Sequence, residues 1–404
     1  MQEFHTKVKA TKTTLEGFAS SVRGRIRLNL ENCYSIVHTL GRLGGQFYGI
    51  SELPQMLSSA LLASSQHLSP HHFGLLLSML PKLIEECPPE NMQHFLTPVM
   101  AQLTMQIDNI CTREWEKVNA RGGTESEQQE SGDLSDEMRD ESVLRQMTGR
   151  AVNMVTSWFD IAREHKLASA KRIVNKSGNS FRNFVLSNRT ILEPLLMFCT
   201  HSIGFKDTKT CSTMVPALQK FVPAFSSEVH LQGQDAAAVR EFISTEMLKA
   251  SINSLNDGYF ADYHQHLAIL IALIWLSFGL PAHVAANETQ PAHDRPAWTQ
   301  TPRNVLLSIP GLEVTKVDDA GMQLAQLTLA GRQRTMRAII LNLLENVRGV
   351  RVSELGKYDN KNERSGLLEK YKQRDALGMQ GLEDGEQHND DDGPDLGGVA
   401  DMFG

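Results

Sequence analysis

Ser69-Pro70-His71-His72-Phe73-Gly74-Leu75-Leu76-Leu77-Ser78-Met79-Leu80-Pro81-Lys82-Leu83-Ile84-Glu85-Glu86-Cys87-Pro88-Pro89 is the stretch on which the reading of the fold turns. Phe73, Leu76, Leu77, Leu80, Leu83 and Ile84 recur at steps of three and four residues, a spacing that lines one face of an α-helix with apolar side chains. Ser69 stands at the N-cap position and Pro70 at the first helical position, where its missing N–H costs nothing. Pro88-Pro89 ends this helix and opens the next. There, Leu96, Val99, Met100, Leu103, Ile107 and Ile110 keep the same spacing, and the helix is predicted to run on to Trp115 or Val118. Two long helices joined by a short proline-marked turn predict an antiparallel hairpin.

The pattern recurs along the chain. Further helices are predicted over 30–47, 51–67, 142–164, 181–203, 208–221, 235–255, 259–279 and 318–347. Strands are a poor alternative, since alternation at period two is rare and no Asn-Gly or Asp-Gly turn joins β-branched runs. The expected fold class is all-α, a HEAT-repeat-like α-α superhelix in which each helix pair buries its apolar face only when a neighbour stacks on it. The pairs are too divergent for self-similarity to establish the repeat, so periodicity alone leaves an irregular helical bundle open.

The expected organisation is helix pairs over 1–118, an acidic flexible loop over 119–141, and helix pairs again over 142–280. A Pro-rich loop follows over 281–302, then C-terminal helices over 303–375 and a disordered acidic tail over 376–404.

Composition agrees with a helical protein: of 404 residues, 41% are hydrophobic and 22% charged, but only 6% aromatic. The net charge of -7 is unevenly laid out. The tail over 376–404 carries -8 and the segment over 119–141 carries -6, so the remainder of the chain is at +7. The body is therefore basic.

Five cysteines, Cys33, Cys87, Cys111, Cys199 and Cys211, lack paired CxxC spacing and read as reduced core thiols. The longest apolar run, Leu267 to Leu280, has 14 residues, short of the roughly 20 that span a bilayer. No membrane insertion is expected, and the composition suits a cytosolic or nuclear protein.

Residues for chemistry are scarce. The GxxxxGK[ST] phosphate loop and the GxSxG nucleophile elbow are absent. His71-His72 and His264-Gln265-His266 are the close histidine groupings, and neither brings Cys or carboxylate at metal-ligand spacing. No enzyme activity, metal or cofactor is expected. Basic clusters are more informative. Arg23, Arg25 and Arg27 form one; Arg163, Lys166, Lys171, Arg172, Lys176, Arg182 and Arg189 a second; Arg332, Arg334, Arg337, Arg348 and Arg351 a third. Such arrays neutralise phosphates or acidic protein surfaces, with an attraction that weakens as salt rises. A solvated helix face is the bland alternative for each.

Several segments in colinear order carry a family resemblance. They are Glu31-Asn32-Cys33-Tyr34, Glu86-Cys87-Pro88-Pro89-Glu90, Trp115-Glu116-Lys117-Val118, Gln146-Met147-Thr148-Gly149-Arg150, Phe205-Lys206-Asp207-Thr208-Lys209-Thr210-Cys211, and the closing Gly397-Gly398-Val399-Ala400-Asp401-Met402-Phe403. Together they resemble the C-terminal third of the exportin-5 family of nuclear export receptors. Pro281 to Pro302 is a poor match.

The resemblance implies a HEAT-repeat karyopherin that binds the GTP form of Ran, carries structured RNA, transfer RNA or phosphoprotein, passes nuclear pore proteins, and shuttles between nucleus and cytoplasm. Repeats that form the principal Ran-binding region of such receptors fall outside it, so this chain alone is not expected to bind Ran tightly. The first repeat, around Thr14 to Arg27, has no polar cap and would expose an apolar face, so the chain is expected to be a fragment or an incomplete gene model. The family brings no catalytic residues. For cargo contact the candidates are Lys171, Arg172, Lys176, Arg182 and Arg189, with Arg332, Arg334 and Arg337 as a second surface. The acidic loop over 125–141 is expected to compete for those cations. A helical scaffold without a transport cycle is the alternative function.

Overall fold

A computed structural model of the chain describes residues 15–121, 133–158, 181–227, 234–279, 300–327 and 333–347. Among these there is no strand, and nearly every residue belongs to a helix. The described residues divide into two compact units, one drawn from 1–110 and 146–196, the other from 111–145 and 197–404.

In the first unit, α1 (Leu15–Gly41) packs on α2 (Pro70–Glu85). The six stripe residues of α2, Phe73, Leu76, Leu77, Leu80, Leu83 and Ile84, are all buried, as the spacing predicts. Ser69 holds the extended N-cap conformation ahead of Pro70. Its hydroxyl pairs with His72 Nδ1 at 2.7 Å and does not cap a backbone N–H. At the far end of α1, a Cβ on Gly41 would lie 3.0 Å from Leu83 Cδ1 and 3.1 Å from the Tyr48 hydroxyl. That hydroxyl donates to the Leu83 carbonyl at 2.7 Å. The helix expected over 30–47 is interrupted after Gly41 by a turn that closes on Gly44 at φ 59°, a left-handed conformation that glycine adopts readily. Tyr48 meets Phe95 edge-on at 4.8 Å.

The next helix, α3 (Thr97–Arg121), buries Val99, Met100, Leu103, Ile107 and Ile110 completely. The helix expected from 142 begins earlier, as α4 (Asp133–Ser157). Acidic residues suit a helix N-terminus, and Asp133, Asp136 and Glu137 occupy the first turns. Residues 122–132 of the acidic segment lie outside the described residues.

The helix expected over 181–203 is divided at Asn188 into α5 (Phe181–Ser187) and α6 (Arg189–Ile203). The Asn188 amide donates to Thr97 Oγ1 at 3.1 Å, and its carbonyl accepts from the N–H groups of Ile191 and Leu192. Asn188 thereby holds the start of α6 against the start of α3.

The second unit is centred on a helix that is apolar on nearly every side. After α7 (Thr208–Ser227), α8 (Gln234–Phe242) and α9 (Leu248–Asn256), the helix α10 (His264–Phe278) buries Leu267 through Trp275 and Phe278. A helix hydrophobic all round belongs in a core or a membrane. Here α7, α9, α11 (Thr301–Leu307), α12 (Val314–Ala325) and α13 (Gln333–Leu343) all lie against it. No helix among the described residues is long and apolar enough to cross a membrane.

Helices α9 and α10 pack side by side across a short connection. On α12, a Cβ at Gly321 would meet Trp275 at 3.2 Å, so the small residue lets α12 approach the indole. The single helix expected over 318–347 is instead the pair α12 and α13, and Arg303 anchors α12 through two bonds to Asp318 at 2.6 and 3.0 Å. Each unit is thus an all-α stack of helix pairs of the helical-repeat kind. The Pro-rich segment up to residue 299 and the acidic tail over 376–404 lie outside the described residues.

Candidate functional site

The candidate cations are distributed as follows. Lys171, Arg172, Lys176 and Arg332 lie outside the described residues. Arg182 falls in α5, and its side chain is also outside them. Arg189 opens α6, where it pairs with Glu193 at 2.6 Å across one helical turn. Its guanidinium is thus directed at a protein carboxylate. Arg334 is exposed on α13, and Arg337, half-buried on the same helix, donates to Gln265 Oε1 of α10 at 2.5 Å. Arg189 belongs to the first unit, Arg334 and Arg337 to the second.

Other cations do meet. In the first unit, Arg27 of α1, Arg150 of α4 and the His71-His72 pair at the start of α2 form one group. The Arg27 and Arg150 charges both reach His71, and a Cβ on Gly74 of α2 would lie 3.2 Å from the Arg150 guanidinium. Burial first, then Arg27, holds the His71 imidazole below its ordinary value; for His72 the order is burial, His71, then Arg27. No periodicity argument reaches this grouping, because 123 positions separate Arg27 from Arg150 and only the crossing of three helices joins them.

Of the segments that carry the family resemblance, Glu86–Glu90 and Phe205–Cys211 fall at turns between helices, Glu31–Tyr34, Trp115–Val118 and Gln146–Arg150 lie within helices, and Gly397–Phe403 lies outside the described residues. Trp115 is buried and stacks on Phe205, with centroids 5.7 Å apart and planes at 16°. Asp207 accepts from the Thr210 N–H at 3.0 Å and from its hydroxyl at 2.7 Å, which caps α7. Ser254 donates to the Ile203 carbonyl and Tyr259 to that of Lys206, so the same turn is pinned from the α9 side. Arg145 of α4 bonds Glu141 and faces Asp207 at 4.0 Å. Burial works against its charge, and the Glu141 hydrogen bond, with the charges of Glu141, Tyr259 and Asp207, outweighs burial and raises its pKa. Met147 and Thr148 are buried, with Met147 against Gly74. Cys87, 3% exposed, closes α2.

Burial pushes the Cys87 and Cys211 thiols up to about 12, with Glu90 and Asp207 adding to it; such thiols are not nucleophiles near neutrality. Among the described residues no group of three His, Cys, Asp or Glu could hold a metal ion.

One further surface stands out. Phe18, Val22, Ile26, Ile36 and Leu40 are 63, 38, 55, 57 and 40% exposed, and with exposed Cys33 they follow helical spacing along the side of α1 turned away from α2.

The fold defines a class: an all-α protein of the helical-repeat kind. The chain belongs to the exportin-5 family, whose model matches residues 4–358. It is 28% identical over 259 residues to an uncharacterized protein of Schizosaccharomyces pombe, covering 61% of this chain and 20% of that one. To Protein MSN5 of Saccharomyces cerevisiae it is 22% identical over 284 residues, 68% of this chain and 22% of that protein. To human Exportin-5 it is 25% identical over 133 residues, 31% of this chain and 11% of the human protein. The chain therefore spans about a fifth of the length of the first two relatives. No solved structure matches it.

Proposed function

We propose that this chain is the cargo-side part of a karyopherin-type nuclear export receptor. It acts with Ran in its GTP form and carries anionic cargo, structured RNA such as transfer RNA or phosphoprotein, past nuclear pore proteins between nucleus and cytoplasm. It works by binding and not by catalysis, and needs no cofactor. The observation that carries this reading is membership of the exportin-5 family over residues 4–358.

Charge supports it, since outside the two acidic segments the chain is net basic, and cations that neutralise phosphates yield an attraction that falls steeply with salt. Lys171, Arg172, Lys176, Arg182 and Arg189 form the proposed cargo surface, with Arg332, Arg334 and Arg337 as the second. The test is joint charge reversal, Lys171→Glu, Arg172→Glu and Lys176→Glu, in the full chain. Anionic cargo should bind at least tenfold more weakly, as loss of three phosphate contacts implies, and its salt dependence should flatten. Unchanged affinity and salt slope would refute the assignment.

A second reading, a helical scaffold without a transport cycle, draws on the exposed apolar side chains of α1, since open apolar patches mark protein contacts. Insensitivity of cargo binding to the Ran nucleotide state would favour it.

A further inference from the structure

We propose that Ser69 is a phosphorylation site, modified by a protein kinase that takes proline after its acceptor residue, and that the phosphate serves as the N-cap of α2. Three Ser-Pro or Thr-Pro pairs occur in the sequence, Ser69-Pro70, Thr97-Pro98 and Thr301-Pro302. The fold separates them. Thr97 and Thr301 are half-buried and already inside helices, and Thr97 Oγ1 is held by the Asn188 amide at 3.1 Å. Ser69 is exposed and belongs to no helix. Its backbone is extended, with φ -64° and ψ 158°, and Leu68 before it is extended as well, at φ -75° and ψ 143°. An acceptor must enter a kinase cleft as extended chain, and a following proline holds it in that form.

The start of α2 suits a negative charge at this position. Pro70 has no N–H, and the Phe73 N–H bonds the Ser69 carbonyl at 3.0 Å. The N–H groups of His71 and His72 are therefore those that an N-cap side chain reaches. The Ser69 hydroxyl does not reach them, since it pairs with His72 Nδ1 at 2.7 Å. The first turn of α2 carries no acidic residue, and no Asp or Glu stands in the sequence between Glu52 and Glu85. The positive end of a 16-residue helix is thus left without a compensating charge from its own segment. A phosphate on Ser69 Oγ supplies close to two negative charges and three acceptor oxygens. The covalent bond keeps it within reach of both N–H groups and beside the two imidazole rings, whose centroids are 5.5 Å apart. Burial, first of all, holds both imidazoles below their ordinary value, and a neighbouring dianion works in the opposite direction.

In the transfer, Ser69 Oγ attacks the γ-phosphorus of ATP. An O–P bond forms as the bond to the ADP oxygen breaks, ADP leaves, and the hydroxyl proton passes to the catalytic carboxylate of the kinase. The product exchanges a contact between hydroxyl and imidazole for a charged cap, so phosphorylation ties the start of α2 more firmly. The site stands apart from the proposed cargo surface and requires neither Ran nor cargo.

The test incubates the full chain with ATP and, in separate reactions, a mitogen-activated and a cyclin-dependent kinase as probes of proline-directed transfer. Peptide mass spectrometry should place phosphate on Ser69, with about tenfold less or lower on Thr97 and Thr301. Pro70→Ala keeps the acceptor and a tolerated first helical residue; it should slow transfer to Ser69 about tenfold while circular dichroism stays unchanged. As a second readout, the phosphorylated chain should show a raised urea midpoint, equivalent to a folding constant roughly two- to fivefold larger, as a charge at a helix N-terminus implies. Treatment with a phosphatase should reverse the gain. Absence of phosphate on Ser69 with both kinases would overturn the site, and so would equal labelling of Thr97 or Thr301. A urea midpoint that phosphorylation leaves unchanged or lowers would overturn the capping role.

Discussion

Trp115 and Phe205 stack in the second unit with ring centroids 5.7 Å apart and planes inclined by 16°. The two residues come from two of the segments that carry the family resemblance, and their contact holds the end of α3 against the turn before α7. Trp115 is 1% exposed. Truncating a buried tryptophan removes its transfer energy and leaves a cavity. Trp115→Ala is expected to cost about 3–5 kcal/mol, read as a lowered urea midpoint; a loss under about 1 kcal/mol would show that the stack does not hold the joint.

Beside that joint, Asp207 caps α7 through the Thr210 N–H and hydroxyl and also faces Arg145. Asp207→Ala removes the cap and is expected to destabilise by about 1–2 kcal/mol, with Asp207→Ser recovering part of the loss because serine can also cap. Equal losses in the two variants would count against a capping role.

Helices were legible in the sequence where a single face is apolar, and boundaries were not legible where tertiary contacts set them. The stripe from Phe73 to Ile84 is buried as its spacing requires, and Pro70 and Pro88 bracket α2. The division at Asn188 depends on its bond to Thr97, 91 positions away, which no local pattern records. The early start of α4 at Asp133 was obscured because acidic residues that stabilise a first turn also make a segment read as a solvated loop. The long apolar run over 267–280 announced burial but not that α10 is the centre of its unit. At the candidate site, sequence proximity pointed to the cations from Lys171 to Arg189, and Arg189 proves to be paired with Glu193. The grouping of Arg27, His71 and Arg150 depends on helix crossings and has no local signal.

The histidines give a pH dependence. Both imidazoles are held below the ordinary value of 6.5, by burial first and then by neighbouring cations, with Glu31 opposing. A lowered folded-state value means that the unfolded chain binds protons first as the pH falls. Their contribution is therefore complete above about pH 6.5 and is lost on descending from there through the lowered values. Because both rings are partly exposed, the effect is well under about 1 kcal/mol each. Urea midpoints of the parent chain and of His71→Gln with His72→Gln should converge between pH 7 and 5.5, and parallel profiles would contradict this.

Along α1, Phe18 and Ile36 present apolar side chains to solvent. Surface substitutions that touch no buried group change stability by less than about 0.5 kcal/mol. Phe18→Ser with Ile36→Ser should leave the urea midpoint within that margin and reduce self-association in sedimentation velocity. A large destabilisation would mean that this face is packed in solution.

The central claim, a cargo-side part of an export receptor, is tested most directly by cargo affinity as a function of the Ran nucleotide state. Binding of a labelled anionic cargo to the full chain should be measured with Ran in its GTP form, with Ran in its GDP form and without Ran, at two salt concentrations. The account predicts tighter binding with the GTP form alone, and weakening with salt under every condition. Equal affinity in all three conditions would contradict it.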